Sequence, residues 1–309
     1  MTRISLLNRT AVITGAGRGL GRAYATEFAS RGAAVVVNDV DGELADEVVG
    51  EIESAGGSAV ACADSVATAD GAARIIEMAM NEYGSLEILV NNAGVLRTGY
   101  FTDLTDDQID IVLSTHLRAA FALTRLAWPL MSEGGHGRLI MTSSSSGLFS
   151  HQGLSNYAAA KAGLFGLTKA LAFEGADLGI QVNAILPMAV SISPAKDPIP
   201  DMEKYRQLFG ADTASVEEWR RDPRTIAALV AYLCSDECDI SGEAFSACNG
   251  RYARVFVGIA EGWLAADETD VTAEQIADHM RQIRDLSNWS APNWLFDEVR
   301  EVVQRIAAQ

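Results

Sequence analysis

Six short apolar runs recur along the first 190 residues: 10–14 (TAVIT), 33–38 (AAVVVN), 58–63 (SAVACA), 86–90 (LEILV), 138–142 (RLIMT) and 181–186 (QVNAIL). Each is too short for a stable helix and apolar almost throughout, the pattern of a strand buried on both faces. Between them lie longer stretches with helical spacing. These predict helices from Gly19 to about residue 30, over 44–55, over 69–83, from Thr105 to about residue 131, and over 156–175. Thr105-Asp106-Asp107-Gln108 marks its helix start, with acidic residues in the first turn. Pro187 is expected to end the sixth strand. Residues 188–201, with Pro194, Pro198 and Pro200, read as a loop near the substrate. A helix over 217–233 and a last strand over 243–248 follow. Strands alternating with helices through short connections predict an α/β fold, a doubly wound parallel sheet of Rossmann type. Ligands of such sheets bind at the carboxyl ends of the strands.

Beyond residue 250 the pattern changes. Ile276, Met280 and Ile283 recur at helical spacing, as do Leu295, Val299, Val302, Val303 and Ile306. Residues 1–250 are therefore expected to form one domain. Residues 251–309 are expected to be a helical extension packed on it or on a neighbouring subunit.

Bulk composition narrows the partners. A chain of 309 residues with 49% hydrophobic and 21% charged positions can bury a sizeable core. A net charge of −17 argues against nucleic acid and against anionic membrane surfaces. Cys62, Cys234, Cys238 and Cys248 show neither zinc-ligand spacing nor a disulfide framework, so no metal is expected. No long apolar segment opens the chain and no run reaches membrane-spanning length, which makes the cytoplasm the expected compartment.

The first strand leads into Thr14-Gly15-Ala16-Gly17-Arg18-Gly19-Leu20-Gly21. Glycines 15, 19 and 21 permit a tight turn with close backbone approach, and amides at a helix start can bind a pyrophosphate. Asp39 ends the second strand, eighteen residues past Gly21, with Val40 beside it. A carboxylate there can accept both ribose hydroxyls of NAD and would repel the extra phosphate of NADP. Arg18 could instead bind that phosphate, or turn to solvent, or pair with Asp39; NAD is the expected cofactor. Asp64-Ser65 at the third strand end could receive the adenine amine, or could cap the next helix. Asn92-Ala93-Gly94, after the fourth strand, suits a cofactor wall.

Tyr157 and Lys161 stand one helical turn apart on one face, and Ser144 follows the fifth strand. A nearby ammonium favours the phenolate, so Tyr157 could move a proton while Ser144 holds a hydroxyl or carbonyl. Together, residues 14–21, 91–94, Ser144, Tyr157, Lys161 and Gln181-Val182-Asn183 leading to Pro187 resemble the short-chain dehydrogenase/reductase family. The resemblance covers about two-thirds of the chain. It implies hydride transfer with NAD(H) or NADP(H), with Ser144 orienting substrate, Tyr157 as acid/base and Lys161 on the nicotinamide ribose. It also implies a homodimer or homotetramer. His116 stands where many members carry an asparagine that holds a relay water, so it is either a proton-relay group or a structural one. The HLRxxF run from His116, residues 139–144 and residues 233–238 are similar to the 3-hydroxyacyl-CoA dehydrogenase part of the peroxisomal D-bifunctional type. A 3-hydroxyacyl-CoA is therefore the favoured small-molecule substrate, with hydroxysteroids or other carbonyl compounds as alternatives. A non-catalytic NAD-sensing protein is the reading from another class. Met188 follows Pro187 where many members have glycine, and Ser191 or Ser193 could touch the cofactor. His136, His151 and His279 read as loop or surface residues.

Overall fold

The computed structural model describes residues 4–188, 222–266 and 271–308. The loop expected over 188–201 and the start of the helix expected over 217–233 lie almost wholly outside these residues, as do Ser191 and Ser193.

One compact unit runs to Arg254. Its strands are β1 (Thr10–Thr14), β2 (Ala34–Asn38), β3 (Ser58–Cys62), β4 (Ile88–Asn91), β5 (Gly137–Thr142), β6 (Ile180–Met188), β7 (Ala244–Cys248) and β8 (Arg251–Val255). They form one sheet in the order β3-β2-β1-β4-β5-β6-β7-β8. β1 to β7 pair in parallel, with Val12 opposite Val36 on one side and Leu89 on the other. The order reverses between β1 and β4, which opens a crevice at their carboxyl ends. Helices α1 (Gly19–Ser30), α2 (Gly42–Ser54) and α3 (Ala69–Tyr83) connect the first four strands. Ile13, Val35, Val37, Tyr24 and Phe28 are fully buried between α1 and the sheet, the reason those runs carry no polar alternation.

Three expectations change. The long helix from Thr105 is two α-helical arms, α4 (Asp106–Leu113) and α5 (Ala119–Glu133), joined by a π-helical turn at Ser114–Arg118. Thr105 and Gln108 do form a reciprocal cap at its start, at 3.3 and 3.0 Å. Strand β6 does not stop at Pro187 but continues through it, with Pro187 opposite Ala247. Pairing with β5 ends earlier, at Thr142 opposite Ile185, so Pro187 sits at a local edge where its missing N–H breaks no bond to β5. β8 follows a two-residue turn, Asn249-Gly250, with φ of +50° and +82°. That connection is too short for a parallel crossover and makes an antiparallel hairpin with β7. The remaining helices of this unit are α6 (Ser146–Phe149), α7 (Ser155–Gly175) and α8 (Pro223–Leu233).

The second unit comprises residues from Val255 onward. A two-residue strand pair, β9 (Ile259–Ala260) with β10 (Trp289–Ser290), is antiparallel. Two amphipathic helices, α9 (Ala273–Ile283) and α10 (Leu295–Ala307), accompany it. No described residue of this unit is fully buried.

Candidate active site

The glycine loop is shaped by space as much as by dihedral angle. Gly15 takes φ +63°, and a Cβ on Gly21 would lie 2.1 Å from the Gly15 carbonyl oxygen. A Cβ on Gly17 would meet Asp39 Oδ2 at 2.9 Å and Leu44 Cβ at 2.8 Å. Thr14 stitches this loop to the end of β4. Its hydroxyl donates to Val90 O at 3.2 Å and accepts from the amides of Asn92 and Ala93, both at 3.0 Å. The Asn92 side chain donates to Thr14 O at 2.8 Å and Gly15 O at 3.2 Å. Asn92 therefore braces the loop, and Ala93 and Gly94 continue the wall beside it. Helix α1 begins at Gly19 with no side-chain cap, which leaves its first amides to a ligand or solvent.

Asp39 is 7% exposed. Its Oδ2 accepts from Gly17 N at 3.0 Å and its Oδ1 from Asp41 N at 3.1 Å. Arg18 pairs with Asp41 at 3.8 Å, not with Asp39, because Asp41 lies further out and both partners are partly solvated. Val40 is 69% exposed and presents an apolar face next to the carboxylate. Asp64 does not cap α3; Thr68 does, accepting from Gly71 N at 3.1 Å, because it immediately precedes the first helical residue. Asp64 instead pairs with Arg74 at 2.6 Å. Ser65 Oγ accepts from Ala67 N at 3.3 Å.

Ser144 lies just beyond β5 and accepts from Ser146 N at 3.1 Å. Tyr157 and Lys161 come from the first turns of α7. Lys161 is buried and its ammonium donates to Thr142 O. The same nitrogen stands 5.5 Å from the centre of the Tyr157 ring. Three residues that the sequence did not single out fix this geometry. Ser143 Oγ donates to Lys161 O at 2.7 Å, and Thr142 supplies the carbonyl for the ammonium. Asn156 donates to Arg97 O at 3.1 Å and Gln108 O at 3.3 Å, while its own oxygen accepts from Tyr157 N at 2.7 Å. Their only sequence signal is adjacency to Ser144 and Tyr157.

Electrostatics here depart from the expected acidified phenol. Burial pushes the Tyr157 hydroxyl above its ordinary value, and a hydrogen bond with Ser144 opposes that rise. Burial also brings Lys161 down to about 7. The ammonium lies over the ring and is committed to Thr142 O, so it does not offset the desolvation of the phenol oxygen.

His116 sits in the π turn, 5% exposed. Its Nε2 is 2.7 Å from Val95 O and 3.1 Å from Val95 N. Its ring meets Tyr157 edge to face, with centroids 5.3 Å apart at 87°. Burial, then the Lys161 charge, bring it down to about 3, so it is neutral at physiological pH. Among the described residues, its Nδ1 and the Asn91 Oδ1 are buried without a protein partner. Both residues line a cavity of about 10 Å³, together with Thr14, Thr115 and Lys161. That is about the space one water needs. His136, expected in a loop or on the surface, lies in the loop between α5 and β5, partly buried and 3.4 Å from Asp236.

Glycine loop, Asp39, the Asn92–Gly94 wall, Ser144, Tyr157 and Lys161 thus gather around the carboxyl ends of β1, β2, β4 and β5. A family model described as short chain dehydrogenase matches residues 9–204. The chain belongs to that family, oxidoreductases that act on CH–OH groups with a nicotinamide dinucleotide as acceptor. A protein of Mycobacterium tuberculosis, described as a short-chain type dehydrogenase/reductase, is 40% identical over 289 residues, covering 91% of this chain and 95% of that one. Peroxisomal multifunctional enzyme type 2 of Mus musculus is 36% identical over 306 residues, 96% of this chain but 39% of that enzyme. The structure of full-length peroxisomal multifunctional enzyme type 2 from Drosophila melanogaster superposes with a TM-score of 0.80 at 34% identity, covering 99% of this chain and 50% of that one. The chain thus spans half or less of these two multifunctional enzymes. Among the described residues, no helix is long and apolar enough to cross a membrane.

Proposed function

We propose that the chain uses NAD(H) to oxidise a secondary alcohol, favouring a 3-hydroxyacyl-CoA, or to reduce the matching ketone. The observation that carries this reading is the meeting of Ser144, Tyr157 and Lys161 beside the glycine loop. The residues fit a dinucleotide. Gly17 and Gly21 leave no room for a Cβ where backbone must approach a ligand, and the Gly15–Gly21 amides suit the pyrophosphate. Asp39 would take the adenine ribose hydroxyls and favours NAD over NADP. The exposed face of Val40, with Asp64 and Ser65, would flank the adenine. Ala93, Gly94, Lys161 and Pro187 would border the nicotinamide half.

When bound, the nicotinamide supplies the hydride acceptor or donor. In oxidation, Ser144 Oγ would hold the alcohol oxygen, and Tyr157 Oη, after losing its own proton to solvent, would take the alcohol proton. In reduction, Tyr157 Oη returns that proton to the carbonyl oxygen. Lys161 Nζ would hold the nicotinamide ribose hydroxyls when the cofactor is bound. The acyl-CoA preference rests on the likeness of the HLRxxF run and of residues 139–144 and 233–238. We further propose a homo-oligomer, supported by the exposed apolar stripe Leu295, Val299, Val302, Val303 and Ile306 on α10. A reducing compartment such as the cytoplasm suits its four free cysteines.

The test is nicotinamide absorbance across a panel of 3-hydroxyacyl-CoA, steroid and simple secondary alcohols. Turnover is expected with NAD and an acyl-CoA. Tyr157→Phe should lower turnover about 10³-fold while still binding NADH. NADH binding without turnover on any substrate would replace this reading with the nucleotide sensor.

A further inference from the structure

We propose that His116 is a positioning residue, clamping the Gly94–Val95 wall and the Tyr157 ring, and that no proton passes through its imidazole in turnover. This rests on the oxidoreductase reading above and deepens it.

Four contacts of one ring carry the inference. Nε2 faces both the carbonyl oxygen and the amide of Val95, at 2.7 and 3.1 Å, so in either neutral tautomer it makes one hydrogen bond to that residue, donating to the carbonyl or accepting from the amide. The ring rests against Gly94, where a Cβ would lie 2.3 Å from Cε1 and 3.1 Å from Nδ1. The φ of Gly94 is not positive, so glycine is required there for the imidazole's space and not for backbone conformation. The ring also meets Tyr157 edge to face, at 5.3 Å between centroids. The π turn carrying His116 is thereby joined to the end of β4 and to the face of α7 that bears Tyr157.

Proton carriage asks for a different environment. A relay through imidazole takes a proton at one nitrogen and gives one up at the other. Here Nε2 ends on a backbone carbonyl and amide, which neither supply nor accept a proton near neutrality. Charging the ring is opposed by burial and by Lys161, the cationic neighbour from α7, which together hold it neutral above about pH 3. Asparagine could satisfy either or both Val95 groups, because its amide donates through Nδ2 and accepts through Oδ1. Alanine could satisfy neither.

His116→Asn and His116→Ala discriminate the two roles. His116→Asn should keep kcat within about threefold of wild type, with the same pH profile, because the anchor on Val95 survives. His116→Ala should weaken NADH binding about tenfold, as expected for one lost hydrogen bond to Val95, and lower kcat as Tyr157 loses its support. A melting cycle reads the seat on Gly94 without substrate: Gly94→Ala should melt below wild type, and adding His116→Ala should raise the melting temperature of Gly94→Ala. The proposal is overturned if His116→Asn loses more than about 100-fold in kcat with NADH affinity intact. It is also overturned if His116→Ala leaves NADH affinity and kcat unchanged, or if His116→Ala lowers the melting temperature of Gly94→Ala further. Should wild type turn over no substrate, the functional reading falls, while NADH affinities and the melting cycle still decide the role of His116.

Discussion

Replacing Lys161 by methionine would separate what the ammonium does for chemistry from what its burial does to the fold. The side chain is buried, and among the described residues its ammonium reaches only Thr142 O as a hydrogen-bond acceptor. Burial brings it from 10.5 to about 7. Between those values the unfolded chain binds the proton that the folded protein resists, so stability rises with pH across that window. At pH 7 the buried lysine opposes folding by about 4 kcal/mol, and by about 2 kcal/mol at pH 9. Methionine has a similar length and no charge to desolvate, but it gives up a hydrogen bond, worth about 2 kcal/mol from the charged donor and about 1 kcal/mol from the neutral amine. Lys161→Met should therefore be about 2 kcal/mol more stable than wild type at pH 7 and about 1 kcal/mol more stable at pH 9. It should be nearly inactive at both. Urea unfolding followed by circular dichroism at the two pH values measures the difference, and nicotinamide absorbance measures turnover. A gain that is identical at both pH values would show that Lys161 does not titrate in this window, and the argument from burial would fail.

Other substitutions probe the cofactor side. Asp39→Ser should bind NADP better relative to NAD, because the carboxylate that would face the extra phosphate is gone; an unchanged ratio of affinities would remove Asp39 from selection. Gly21→Ala puts a Cβ against the Gly15 carbonyl at 2.1 Å and should abolish NADH binding measured by fluorescence; retained binding would mean the loop can move aside. The raised Tyr157 predicts that oxidation accelerates with pH from about 6 to 9, because loss of the phenol proton is needed. Reduction, which uses the protonated phenol, should stay nearly flat over that range. An oxidation rate independent of pH would argue against Tyr157 as the base.

Most of the sheet was legible because its strands are buried on both faces. Val35, Val36 and Val37 have no exposure, so no polar residue interrupts the run. β8 escaped notice for the opposite reason. Arg251–Val255 is half exposed and charged, and looks like loop sequence, although Asn249-Gly250 before it is a strong hairpin signal. The π turn leaves no mark in Ser114–Arg118, since its residues are ordinary helix formers or neutral in that respect. For the site, spacing brought Tyr157 and Lys161 to one helix face, and the chain order brought Ser144 near them. Depth was not legible. The raised phenol and lowered ammonium follow from how far each group is enclosed, a property of neighbours distant in sequence such as Thr142 and Ser144. Thr68 was legible as a cap, being the hydroxyl residue directly before the helix, yet Asp64 drew attention by standing at a strand end.

Asp39 holds Gly17 N with one carboxylate oxygen and Asp41 N with the other. The group proposed to read the sugar also keeps the phosphate-binding turn in shape. Redesigning this protein for the phosphorylated coenzyme would therefore need two edits together: removal of the negative charge, and a neutral acceptor of similar reach to keep the turn closed. A single charge deletion would trade selectivity for a slack turn and weaken both coenzymes.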